Sequence, residues 1–310
     1  MNGLTVKNWL KEASKYRALY LMTLPGFLYL LMNNYIPMFG VVIVFKDIDF
    51  IKGIWGSDWV GFKNFEYLFK TTDAFIITRN TLLYGIIFIV INLIFAVGLA
   101  ILLNEVKNII VSRFYQSIVL LPHLISMVII GYLVYACLSI ENGFMNKTIL
   151  PLLGLDSISW YNESKYWPFI LTFVNTWAKA GYLCVIYLAA IVGIDHEYYE
   201  AATIDGASKW QQIRSITIPL IVPVITVMTL LQIGRVFYSD FGLFYQVPLN
   251  SGAIQSTTNV IDTYVYRALI TLGDIGMSSA AGLYQSLVGF VLVFFSNYIV
   301  KKFNKDNALF

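Results

Sequence analysis

The 310 residues are 58% apolar and only 13% charged, against roughly 45–50% and about 25% in soluble domains. A soluble fold of this size could not hide that much apolar surface, and a net charge of +3 with no clustered Lys and Arg excludes a nucleic-acid footprint. Aromatics at 16% suit interfacial belts, so the expected class is an all-α integral membrane protein.

The first segment, 1–19, lacks the short apolar core and small-residue cleavage site of a signal peptide and is expected to be retained. A bilayer core of about 30 Å needs around 20 apolar residues in a helix. Six stretches qualify: Tyr20–Phe45, Thr81–Leu103, Ser117–Ile140, Pro168–Gly193, Ile216–Tyr238 and Ala280–Val300. The first holds Pro25, Gly26, Pro37 and Gly40, which favours a kink or tilt.

Orientation follows from the basic residues. With the N-terminus inside, segments 1–19, 104–116, 194–215 and 301–310 carry 11 Lys/Arg in 64 residues. The outer segments 46–80, 141–167 and 239–279 carry 8 in 103. The inner density is about twofold higher, which places both termini in the cytoplasm.

The first outer loop, 46–80, contains Trp59–Phe69, with Phe62, Phe65 and Phe69 spaced by three and four. That spacing predicts a short amphipathic helix on the membrane surface. Cys137 and Cys184 fall in apolar stretches with no paired spacing and read as buried structural thiols. None of the six stretches contains Asp or Glu, which counts against a proton-coupled carrier. The charges inside them are Lys179 and Arg235. Arg235 is three residues from an outer end and can snorkel. Lys179 is about 17 Å into the fourth span and should face a cavity or a partner.

On that span Asn175, Lys179 and Tyr182 share a face; Gln232 and Arg235 share one on the fifth, and Tyr284 sits near the start of the sixth. These six residues either line a path for solute or satisfy helix–helix and interface contacts. Catalysis finds no support. His196-Glu197-Tyr198-Tyr199-Glu200 begins like a zinc HExxH but lacks the second His, and no other metal, nucleophile or phosphate-loop motif occurs.

The inner segment 194–215 is the most informative. His196–Ile204 is helix-compatible, with Ala201 and Ala202 small enough for close approach. Asp205-Gly206 supplies a break, Ala207–Ser215 is a second helical piece, and Ile216-Thr217-Ile218-Pro219 re-enters the membrane. A helix–turn–helix along the inner face can dock a partner or rest on headgroups.

This stretch resembles the EAA loop of permease subunits of binding-protein-dependent ATP-binding cassette importers. That pattern is EAA, three residues, Gly, nine residues, then Ile-x-Leu-Pro. Here it reads Glu200-Ala201-Ala202, Gly206, and Ile216-Thr217-Ile218-Pro219, with Ile218 in place of Leu. Within the family the chain is similar to the maltose-type, carbohydrate-importing branch, and to permeases for oligosaccharides released from polysaccharides. Trp59-Val60-Gly61-Phe62-Lys63-Asn64-Phe65, Asn259–Leu269 and Gly273–Ser286 also resemble this branch, the first of these marking the first of two unlike permeases.

The resemblance implies a type I importer permease fold of six transmembrane helices, with a core permease domain over 81–300 and a coupling loop at 194–215. It implies that Glu200 makes a charged contact with an ATPase, Ala201 and Ala202 permit close packing, and Asp205-Gly206 turns the chain ahead of Pro219. The implied partners are a second, homologous permease, two copies of a cytoplasmic ATPase, an extracytoplasmic solute-binding protein, an oligosaccharide and membrane lipid. No cofactor is expected in this chain, ATP and Mg being bound by the ATPase, and the expected place is a bacterial cytoplasmic membrane. Alternatives are an importer of polyols, glycerophosphodiesters or peptides, or a self-powered secondary carrier.

Overall fold

The computed structural model of the chain describes residues 15–303, without the side chains of Tyr67, Phe69 and Thr72. Lys7, Lys11 and Lys305, part of the basic flanks, lie outside the described residues. Helices dominate, and the described strands are a two-residue antiparallel pair, β1 (Lys46–Asp47) and β2 (Asp58–Trp59).

Among the described residues five helices are long and apolar enough to cross a bilayer, six if a bent pair counts as one span. They are α1 (Arg17–Phe45), α2 (Thr72–Asn104), the bent pair α3 (Ile109–Leu124) and α4 (Met127–Leu138), α5 (Trp167–Val192), α7 (Lys209–Ile233) and α10 (Ile275–Phe303). Between them lie α6 (His196–Ile204), α8 (Phe241–Gln246) and α9 (Ile261–Ile270).

The third stretch departs from a straight crossing. It bends by 95° between α3 and α4 because Ile125 is extended and the Ser126 hydroxyl accepts from the Ile129 amide, capping a new helix. The fifth helix ends at Ile233 rather than Tyr238, so Arg235 lies in the turn beyond it instead of sharing a helical face with Gln232. In the first outer loop the expected helix is shorter than the Trp59–Phe69 spacing suggests, consisting of the helical turns Lys63–Phe65 and Glu66–Lys70. Gly61 takes φ +60°, and Asn64 donates to the carbonyls of Val44 and Lys46. These draw Phe62 and Phe65 onto Phe45, with ring centroids 5.6 and 6.1 Å away.

Lipid is as apolar as leucine, so these helices associate by close packing and hydrogen bonds rather than by hydrophobic burial. Small residues mark the contacts. A Cβ on Gly181 of α5 would fall 1.8 Å from the Val119 carbonyl oxygen of α3, and one on Gly131 of α4 would fall 2.8 Å from that of Gln246. Two long apolar helices of the core, α2 and α5, are joined by Asn92 Nδ2 donating to Asn175 Oδ1 at 2.9 Å.

The segment read as a third outer loop packs inward. Leu243, Phe244, Val247, Val260 and Ile261 are buried. Irregular backbone among membrane helices must have its polar groups satisfied by protein. Asn80 donates to the Asn259 carbonyl, Tyr84 to that of Thr257, and Thr81 accepts from the Ile261 amide. Cys184 is buried as expected, whereas Cys137 is exposed on α4. In contrast, α1 buries nothing before Val44.

Candidate functional site: an inner knob and a mid-helix ion pair

The segment between α5 and α7, expected from its charge to face the cytoplasm, is built by three caps. Asp195 accepts from the Glu197 amide and starts α6. Gly206, at φ +78°, ends it. The Ala207 amide donates to the Ala202 carbonyl and the Gly206 amide to that of Thr203, the paired bonds of a Schellman turn. Ser208 and Gln211 then form a capping box that opens α7.

From there α7 runs unbroken into the membrane, so no second loop helix stops at Ser215. A wide turn over Ile213–Thr217 precedes Pro219, which has no amide proton to give.

Side chains fix the two arms of this knob. Tyr199 and Thr217 hydroxyls share a 2.9 Å hydrogen bond, and Gln212 Nε2 donates to Thr203 Oγ1 at 3.0 Å. Lys209 pairs with Glu105 at 3.3 Å, both largely exposed, so the pair contributes little to stability. Glu200, Ala201 and Asp205 are exposed, Ala202 is half-buried, and Pro219 is exposed. Three large apolar side chains beside them face outward: Tyr198, Ile204 (86% exposed) and Trp210 (70%). A cavity of about 560 Å³ opens next to the knob, lined by His196, Tyr199, Glu200, Thr203 and Gln212, with Lys107 opposite. The arrangement is a rigid projection with an apolar tip and a charged flank.

Within the membrane region Lys179 is the thirteenth of the 26 residues of α5, about 18 Å from its start. Its Nζ lies 2.9 Å from Asp240 Oδ2. No carboxylate lies in the apolar stretches themselves, yet the inward fold of 239–247 delivers one to mid-helix depth. The other Asp240 oxygen accepts from the Leu243 amide, capping α8. Three breaks converge here: the α3–α4 bend, the end of α7 and the start of α8, where a Cβ on Gly242 would come within 2.9 Å of Met127.

The remaining sequence-predicted residues scatter around that point. Tyr182 is exposed, and its ring stacks on His123 of α3 at 4.8 Å and 16°. Asn175 is 1% exposed and committed to Asn92, a helix–helix contact. Gln232 donates back to the Met228 carbonyl, Arg235 is exposed, and Tyr284 meets Phe237 edge-on at 6.3 Å. Neither Asp240 as the neighbour of Lys179 nor His123 as that of Tyr182 is legible in the sequence. Asp240 sits in a polar stretch that reads as a loop, and nothing local announces that the chain folds back.

Comparison with known proteins agrees with this architecture. Residues 92–305 match the family described as binding-protein-dependent transport system inner membrane component. The chain is 36% identical over 304 residues to Protein LplB of Bacillus subtilis, covering 96% of this chain and 93% of that one. It is also 36% identical over 301 residues to the polygalacturonan/rhamnogalacturonan transport system permease protein YteP of the same organism, covering 97% and 92%. Among solved structures it superposes with a TM-score of 0.87 and 31% identity on a chain of a bacterial ABC transporter involved in import of the acidic polysaccharide alginate, covering 96% of this chain and 99% of that one.

Proposed function

The chain belongs to the family of binding-protein-dependent transport inner membrane components, and from that premise we propose that it is the translocating half of an ATP-driven oligosaccharide importer. The chain is an integral membrane permease of a sugar importer, not an enzyme, with the type I importer permease fold. Its knob docks on a cytoplasmic ATPase, and nucleotide-driven closure of two such ATPases shifts the spans between inward- and outward-facing packings.

The knob carries this reading. Glu200 offers charge to the ATPase surface, Ala201 and Ala202 leave room for it, and Ile204 and Trp210 supply exposed apolar contact. Asp205 and Gly206 set the turn, and the unbroken run from Ser208 past Pro219 into α7 transmits a push at the knob to the membrane. ATP and Mg belong to the ATPase.

The partners are a second, homologous permease, two ATPase copies and an extracytoplasmic binding protein, in the bacterial cytoplasmic membrane. A related alginate transporter was solved in complex with an alginate pentasaccharide-bound periplasmic protein, which supports the binding-protein part. The bare flank of α1 leaves a whole helix for lipid or the second permease. Lys179, Tyr182, Gln232, Arg235 and Tyr284 are the pathway candidates; Asn175 acts through its contact with Asn92.

The test is uptake of labelled oligosaccharide into vesicles holding the assembled importer, with ATP inside and binding protein outside. Uptake that needs both supports the reading. Uptake that persists without ATP, driven by an ion gradient, returns the chain to the secondary carriers.

A further inference from the structure

Charges halfway along a membrane helix are costly, and those that persist mark pathways or relays by default. The Lys179–Asp240 pair is not sealed: its side chains keep 36% and 25% of their surface open. Lys179 has three donors and, among the described residues, Asp240 as its one partner.

The two partners differ in freedom. Asp240 is pinned, because its second oxygen caps α8 through the Leu243 amide. Lys179 hangs on a flexible four-carbon stem. The partner that can change is therefore the ammonium. One turn further toward the cytoplasm, Tyr182 presents an exposed ring backed on one face by His123 at 4.8 Å.

Resting on the importer reading above, we infer that Lys179 is a carboxylate-exchange site for acidic sugars: Asp240 holds the ammonium while the path is empty, and a uronate carboxylate replaces Asp240 as the sugar passes. Tyr182, backed by His123, receives the apolar face of the same or the adjoining ring. A neutral sugar has nothing to offer the ammonium and leaves the pair closed. The carboxylate of Asp240 spares the empty permease a half-exposed cation with no counter-charge at mid-helix depth.

The experiment compares trigalacturonate with its fully methyl-esterified, uncharged counterpart in vesicles carrying the complete importer, ATP and binding protein. The variants are Lys179→Gln/Asp240→Asn, which keeps a neutral pair of similar shape, and Lys179→Arg, which keeps the charge. The neutral double variant is expected to lower the ratio of acid to ester uptake about tenfold, the worth of one charge-assisted hydrogen bond. Lys179→Arg is expected to keep the acid-to-ester ratio near wild type.

Unchanged acid uptake in the double variant, or acid and ester falling together, makes the pair a structural tie and overturns the inference. So does an Arg variant whose ratio falls like that of the neutral one. If the wild type moves ester but not acid, the inference fails and the importer stands. If it moves neither with ATP and loaded binding protein present, the importer reading fails first and takes the inference with it.

Discussion

The amide of Ala207 donates to the carbonyl of Ala202 at 2.8 Å, across the one residue of the knob with a left-handed backbone, Gly206 at φ +78°. This bond joins the close-approach surface at Ala201-Ala202 to the helix that enters the membrane.

Gly206→Ala meets no neighbour within 4 Å, so its cost is backbone strain alone, about 1–2 kcal/mol. The variant should insert and assemble normally while the turn loosens. Hydrogen exchange at the Gly206 and Ala207 amides should quicken by roughly tenfold, with the rest of the chain unaffected. Unaltered exchange there would mean the turn is not held by these bonds.

Gly181→Ala acts differently, by collision. The new Cβ would lie 1.8 Å from the Val119 carbonyl oxygen, and backbone cannot yield as a side chain tip does. Parting α3 from α5 should cost roughly 1–3 kcal/mol or more, read as a lowered Tm and reduced yield of monodisperse protein in detergent. Gly98 has open space around its would-be Cβ, so Gly98→Ala is the control that leaves both unchanged.

Asn92 and Asn175 are both buried and bonded to each other across α2 and α5. Asn175→Leu should destabilise by about 1–3 kcal/mol through the amide it strands. A double-mutant cycle with Asn92→Leu should return a coupling on the order of 1 kcal/mol, within the range for polar contacts between membrane helices. Additive losses would show that the contact carries no energy of its own.

Lys46 is 2% exposed, and its Nζ donates to the carbonyls of Ile54 and Trp55, both at 2.9 Å, while lying 5.1 Å from the Trp59 ring. It folds the outer loop around one cation. Lys46→Met should free that loop and speed tryptic cleavage after Lys52 from the outer side, with spans and knob intact. A cleavage rate equal to wild type would assign the loop's shape to β1–β2 pairing alone.

Much of this architecture is legible in the chain because membrane spans are long and nearly uniform in composition. The Asp205-Gly206 break and the spacing to Pro219 are equally readable, since left-handed backbone favours glycine and Pro219 needs a preceding turn that does without its amide. What eludes the sequence is where the chain folds back on itself. The 95° bend rests on one extended residue, Ile125, and a serine cap, inside a run whose apolar composition never falters. The inward course of 239–247 depends on contacts with α2 and α4 far away in sequence. Lys179 could therefore be seen to need a partner, but Asp240 could not be seen to supply it.

In the function proposed above, the knob is the lever joining an ATPase to the membrane path. Its most direct test is ATP hydrolysis by the reconstituted importer with loaded binding protein, comparing wild type with Gly206→Asp. Stimulated hydrolysis is expected in wild type and should collapse in the variant, with the spans folded and the ATPase either uncoupled or dissociated. Stimulation that survives Gly206→Asp unchanged would contradict it and make the knob a surface resting on lipid headgroups.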